Sequence, residues 1–294
     1  MTELTLHPAD GATAVRPPAL LGIKRAVGAR IDATGVGQHA GGRQILHEVS
    51  LSIEPGELVA LVGGSGAGKT TLLRAAMALI HPVSGTVEVA GRATAGRHPE
   101  DLADVAGYAF QHPEAQLFER TVRAEIAFGP RQLGWDAGRI AETADALLVE
   151  LDLARWAETH PYDLPVPRRR IVALAAALAA RPGLLLLDEP TAGLDAAGKR
   201  IVERAVRTAR EAGAAVVAVT HDADLAIESL DRAILLEHGR IALDAPVVRV
   251  LGATADVPAL PPPAELASRL GLRPSGPGRD AVVAALAAHC RSRG

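Results

Sequence analysis

Apolar positions along the chain follow two periods. "ELVALV" (57–62), "LLLLD" (184–188) and "AAVVAVT" (214–220) are short unbroken apolar runs, as expected of strands buried on both faces. "QILHEVSLSI" (44–53) and "GTVEVAG" (85–91) alternate, as half-buried strands do. Helices are expected at about 69–80, 168–180, 196–212 and 222–229, and residues 112–165 are mainly helical in character. "RAILLEHGRIALD" (232–244) reads as a closing hairpin. Strands that alternate with helices predict an α/β fold with a largely parallel sheet covered on both faces. Residues 1–27 have little periodicity and read as a mobile tail or weak leading strand. "PALPPP" (258–263) is a stiff break before a short helical tail at 264–292. The expected division is a tail at 1–27, a main domain at 28–250 with a helical part at about 112–165, and an extension at 251–294.

A length of 294 residues allows one large α/β domain with attachments, or two domains. The net charge of −3 gives no electrostatic case for nucleic acid as a partner. The single cysteine, Cys290, excludes an internal disulfide and fits a reducing compartment. The longest apolar run, 171–180, is too short to span a bilayer, and the N-terminus lacks the basic-then-apolar order of a secretory signal. A cytoplasmic chain is therefore expected. All seven aromatics lie between Tyr108 and Tyr162 (Tyr108, Phe110, Phe118, Phe128, Trp135, Trp156, Tyr162), which suits core packing and a contact surface equally well.

Candidate chemistry begins at "GGSGAGKTT" (63–71), which fits G-x-x-x-x-G-K-[ST] between a buried strand and a helix start. Glycines let the backbone of Gly63, Gly64, Ser65, Gly66, Ala67 and Gly68 wrap close to phosphates, with successive N–H groups turned toward the anion. Lys69 would reach the β- and γ-phosphates and Thr70 would hold Mg²⁺, with Thr71 beside it. The bland alternative is a glycine-rich turn, which Lys-Thr at these positions disfavours. "LLLLDEP" ends a buried strand on two carboxylates. In a phosphate-loop fold Asp188 can hold Mg²⁺ and Glu189 can polarise the attacking water; alone, the pair would read as a solvated turn. "VVAVTHD" (216–222) ends another strand on His221, at the sheet edge where parallel folds bind ligands, so His221 is a candidate γ-phosphate contact.

In order and spacing these elements resemble the ATP-binding cassette (ABC) ATPases over about 28–250. The resemblance implies a phosphate-loop ATPase core with an antiparallel β part, an inserted helical part and a C-terminal extension. It implies ATP and Mg²⁺ as cofactors, Glu189 as catalytic base and His221 as the switch histidine. Gln111 would be the Q-loop glutamine at Mg²⁺ and Asp195 the D-loop aspartate at a dimer interface. A narrower resemblance, carried by "QHPEAQLFERTVRAEIAFGPRQLGW" (111–135) and "LPPPAELASRLGL" (260–272), is to the ATPases of energy-coupling factor importers. That group takes up vitamins or cobalt and nickel ions. It implies an integral-membrane transporter subunit, a substrate-binding membrane subunit, a second ATPase subunit and a place on the cytoplasmic face of the membrane.

The chain departs from the family at "DLPVPRRR" (163–170). The family opens this helix with L-S-G-G-Q, which touches the γ-phosphate of ATP on a facing subunit. Aligned here, Leu164 is kept, while Pro165, Val166, Pro167 and Arg168 replace the rest. A hydroxyl is lost, the two rings remove N–H donors, and Val166 adds bulk where backbone must approach phosphate. Three cations at a helix start each cost about 0.3–1 kcal/mol if solvated. Arg169 and Arg170 are expected to be a solvated basic face, with Arg168 open as a substitute phosphate ligand. A second departure concerns adenine: no aromatic precedes residue 108, and Gln38 or His39 stands near the usual stacking position. A heterodimer of two ATPases is the favoured assembly, a homodimer the alternative. The competing reading is a mainly nucleotide-binding, regulatory subunit. An ABC ATPase of DNA or ribosomes is disfavoured because the chain has no coiled-coil or zinc insertion and no second cassette.

Overall fold

The computed structural model describes residues 28–251 together with residues 267, 271, 272, 276, 281, 282, 284 and 285. The expected tail at 1–27 and most of the expected helical extension lie outside the described residues.

Two sheets make up the strand layers. The first is four-stranded and antiparallel, in the order β2 (Arg43–Ile53), β1 (Ile31–Ala40), β4 (Ser84–Val89), β5 (Arg92–Ala93). The second has six strands in the order β10 (Arg240–Pro246), β9 (Arg232–Glu237), β3 (Leu58–Val62), β8 (Ala215–Val219), β7 (Leu184–Asp188), β6 (Ala106–Ala109). All of its pairings are parallel except that of β9 with β10. β3, β7 and β8 are buried at every position, as continuous apolar runs require. Their alternate side chains feed two cores. Val59, Leu61, Leu184, Leu186 and Val217 join the first sheet and α1 (Lys69–Ala76). Leu58, Ala60, Leu185, Leu187 and Val216 join the opposite helical layer. That layer contains α2 (Val122–Gln132), α3 (Ala137–Glu150), α4 (Val166–Ala179), α5 (Ala196–Glu211), α6 (Ala223–Ser229) and α7 (Val247–Leu251).

The expected α/β architecture is present, with local differences. The helix expected at 69–80 stops at Ala76, because Met77 leaves helical geometry and Ala78 turns left-handed at φ 54°. β6 escapes sequence reading: "AGYA" has neither alternation nor β-branching, and it becomes a strand by pairing Ala106–Ala109 with Leu184–Leu187. Its Gly107 lets α4 lie close, since a Cβ there would meet the Ala177 carbonyl oxygen at 2.2 Å. Gly107→Ala is expected to cost about 1–3 kcal/mol through this overpacking, visible as a lowered urea midpoint at unchanged slope.

The clustered aromatics divide between the core and the surface. Tyr108 is buried, whereas Phe118 is 60% exposed and sits edge-on to Phe128 at 4.7 Å. Glu125 fixes that exposed ring: its carboxylate accepts the N–H groups of Phe118 (2.9 Å) and Glu119 (2.7 Å). Burial pushes the Glu125 carboxyl up from the usual range, while the two donors oppose the shift.

Candidate functional site

The loop at 63–68 joins the end of β3 to the start of α1. Gly63 (φ 140°) and Gly68 (φ 104°) hold backbone conformations that L side chains rarely adopt. A Cβ on Gly63 would also lie 2.0 Å from the Leu236 carbonyl oxygen, so the site needs glycine on two grounds. Lys69 is buried, and its ammonium donates to the carbonyls of Gly63 (2.6 Å) and Gly64 (2.9 Å). Its charge is therefore held inside the curve of the loop. Ser65 and Gly66 are exposed, Ala67 is buried, and Thr70 and Thr71 are half-buried in the first turn of α1.

β7 delivers two carboxylates to the same sheet edge. Asp188 is 2% exposed. Its Oδ2 accepts the Tyr108 hydroxyl at 3.1 Å, while Oδ1 is buried without a partner. Burial first, and the Asp188 charge second, push the Tyr108 phenol far up, so it stays protonated and donating. A buried, unpartnered carboxylate oxygen beside a phosphate loop fits a hard divalent cation such as Mg²⁺. Sequence reading passed over Tyr108 as a partner of Asp188; the two are 80 residues apart, and a core aromatic gives no sign of what its hydroxyl meets.

Glu189 has φ 52°, a left-handed conformation costing a non-glycine residue about 1–3 kcal/mol. The bend is held by its N–H on the Val219 carbonyl (2.9 Å). It turns the carboxylate to His221, with Oε1 3.2 Å from Nε2. Burial raises the Glu189 carboxyl above the usual range; His221 and Lys69 pull it down, and Asp188 adds to the rise. His221 is carried between β8 and α6. The next residue, Asp222, caps α6 and pairs with Lys199 of α5 at 2.7 Å. Asp195 is exposed and caps α5, its Oδ1 accepting the Gly198 N–H at 2.7 Å. Gln111 is exposed just after β6. Gln116 braces that segment, taking the Phe110 N–H (3.0 Å) and donating to the Ala173 carbonyl (3.1 Å).

The start of α4 is stripped of donors. Pro165 takes the cap position without any side-chain bond. Pro165 and Pro167 have no N–H, and the Arg168 N–H already donates to the Pro165 carbonyl at 2.9 Å. Of the backbone groups at 165–168, Val166 alone keeps a donor outside that bond. Leu164 is buried; Pro165, Val166 and Pro167 are exposed.

The three arginines do not form the solvated face expected for two of them. Arg168 pairs with Asp152 (3.2 Å) and lies over the Trp156 ring. It therefore points along the helical layer. Arg169 donates to the carbonyls of Leu164 (2.8 Å) and Tyr162 (2.6 Å). Arg170 donates to the carbonyls of Gln111 (2.6 Å) and Glu189 (3.4 Å). Bonds to carbonyls offset the unfavourable dipole at this helix start. Arg170 also ties α4 to the two segments that bear Gln111 and Glu189.

Of the two residues expected near adenine, Gln38 is half-buried and accepts the Val83 N–H through Oε1 at 3.2 Å, while His39 is exposed opposite Gln44.

The profile of the family described as "ABC transporter" matches residues 46–192, half of the 294-residue chain. A provisionally named ABC transporter ATP-binding protein of Methanosarcina acetivorans is 36% identical over 243 residues, covering 81% of this chain. The chain spans 39% of that relative's length. Among solved structures, a dimeric ATP-binding cassette in a post-hydrolysis state, bound to ADP and Pi, is 26% identical with a TM-score of 0.68. That likeness covers 74% of this chain and 98% of the other. A protein of Clostridium perfringens, cbiO1, described as part of the ABC transporter complex cbiONQ, shares the fold. It is 24% identical with a TM-score of 0.67, over 85% of this chain and 97% of the other.

Proposed function

Because this chain belongs to the ABC transporter family, whose cassettes bind and hydrolyse ATP with Mg²⁺, we infer that it is the ATPase subunit of an importer and works as one half of an asymmetric ATPase pair. The phosphate loop with Lys69 holds the phosphates. Asp188, Thr70 and Gln111 hold Mg²⁺, which when bound neutralises and orients phosphate oxygens. Glu189 takes the proton of the attacking water, and His221, 3.2 Å from Glu189, would contact the γ-phosphate.

The observation that carries the asymmetry is the start of α4. In a head-to-tail pair this chain brings an intact phosphate loop, Glu189 and His221 to its own ATP. To the partner's ATP it brings a helix start with no hydroxyl and one free backbone donor. Each preorganised donor lost at a reacting phosphate costs roughly 10²–10³ in rate. The site completed by residues 164–168 is therefore a holding site, and Asp195 lies at the same interface. The catalytic site is the one on this chain's own loop, completed by a partner with L-S-G-G-Q.

The importer is of the energy-coupling factor type, with a vitamin or a transition-metal ion as cargo. It pairs this chain with an integral-membrane transporter subunit and a substrate-binding membrane subunit, at the cytoplasmic face of the membrane. The run at 111–135 supports this reading, since it presents Phe118 to solvent on a loop fixed by Glu125.

Mg²⁺-ATP turnover of the purified chain, followed over a wide protein concentration range with Glu189→Gln as blank, tests the asymmetry. The chain alone is expected to match the blank at every concentration, and to gain turnover when a cassette with L-S-G-G-Q is added. Turnover that rises with the concentration of this chain alone would falsify the asymmetric pair.

A further inference from the structure

Among the described residues, five buried side-chain polar atoms have no hydrogen-bond partner: Thr94 Oγ1, Arg139 Nε, Thr143 Oγ1, Arg181 Nε and Asp188 Oδ1. Asp188 would be accounted for by the Mg²⁺ proposed above. Three of the other four lie on α3 and just beyond the end of α4. Arg139 and Thr143 are four residues apart on α3, hence on one face, one turn above the other. Arg181 follows the C-terminus of α4, the helix that packs beside α3, and precedes β7. It sits at the opposite end of β7 from Asp188, so it has no part in the nucleotide site.

Neither guanidinium has an ion pair among the described residues. Asp136 and Glu142 each stand three residues from Arg139 and neither pairs with it; the Asp136 Oδ1 accepts the Arg139 backbone N–H at 2.9 Å as the cap of α3. The Arg139 guanidinium carbon lies over the Trp135 ring, 3.4 Å from its centre, and its buried Nε has no acceptor. The two cations are close enough that Arg139 helps lower the Arg181 pKa, after burial as the larger cause. Thr143 is 2% exposed and its hydroxyl is idle. Two like charges without an ion pair, each with a buried Nε that lacks an acceptor, and an idle buried hydroxyl are costly to maintain without a shared acceptor.

We propose that Arg139, Thr143 and Arg181 form a binding site for a phosphate-type oxyanion at the junction of α3 and α4, separate from the phosphate loop. Guanidinium forks present donors in the geometry that phosphate oxygens accept, a hydroxyl adds a third direction, and a doubly charged anion balances both cations.

Trp135 is the reporter. In a Trp156→Phe background it is the one remaining tryptophan of the chain. Inorganic phosphate is titrated against this protein at constant ionic strength, with acetate as the carboxylate control. Phosphate is expected to change the emission saturably, acetate to leave it flat, and Arg139→Gln or Arg181→Gln to weaken the response at least about tenfold. Lys69→Ala, which alters the phosphate loop, is expected to leave the response in place. Arg139→Glu supplies the missing acid and is expected to raise the Tm while abolishing the phosphate response. No saturable change, a response as strong with acetate, a response lost with Lys69→Ala, or one that survives both glutamine variants would each overturn the site.

Discussion

The fourfold change Pro165→Ser, Val166→Gly, Pro167→Gly and Arg168→Gln is expected to raise Mg²⁺-ATP turnover of the chain alone by roughly 10²-fold or more. The substitutions return a hydroxyl and two N–H groups and remove the Val166 side chain from where phosphate approaches. One donor of this kind is worth roughly 10²–10³ in rate, so partial recovery already clears the blank. The fold tolerates the change. Pro165, Val166 and Pro167 are exposed, and the exposed Arg168–Asp152 pair is worth at most about 1 kcal/mol. The measurement is steady-state turnover against protein concentration. If the quadruple variant dimerises with ATP and still matches the Glu189→Gln blank, the donors of this turn are not what limits the self-pair.

In that activated chain, Glu189→Gln is expected to lower turnover by about 10²–10⁴ while nucleotide affinity holds. The pH profile separates loss of a base from loss of structure. Glu189 accepts a proton as carboxylate, so activity falls as pH drops through its pKa. Burial has raised that pKa, which puts the acid limb at higher pH than for a solvated glutamate. His221 pulls the pKa down, so His221→Ala is expected to shift the limb further up in pH. A profile in which His221→Ala moves the limb to lower pH, or in which Glu189→Gln keeps the limb, would remove Glu189 from the role of base.

Sequence patterns revealed the frame of the site better than its bracing. The phosphate loop, the buried strand that ends at Asp188 and the strand that ends before His221 all announce themselves through contiguous residues, because each depends on local geometry. What sequence hides is partnership across distance. Arg169 and Arg170 read as solvated because a charge run usually is. Their acceptors are backbone carbonyls, and Arg170 finds them 59 and 19 residues away. Carbonyls carry no residue signature. Tyr108 is hidden for the same reason, and β6 because its strand character comes from the neighbour it pairs with. The unpaired Arg139, Thr143 and Arg181 are equally invisible, since nothing in a one-dimensional pattern marks a missing partner.

From Val166 to Arg170 the helix rises about 6 Å. Within that single turn, one end is the face proposed above for the facing subunit and the other holds the backbones of Gln111 and Glu189. In the proposed pair the turn would have two audiences, with crosstalk between them. A displacement of α4 that followed engagement with the partner's nucleotide would also pull on the chain's own catalytic segment. In the proposed asymmetric pair, each of the two ATP sites would in this way be informed of the other's occupancy, even when one of them never turns over.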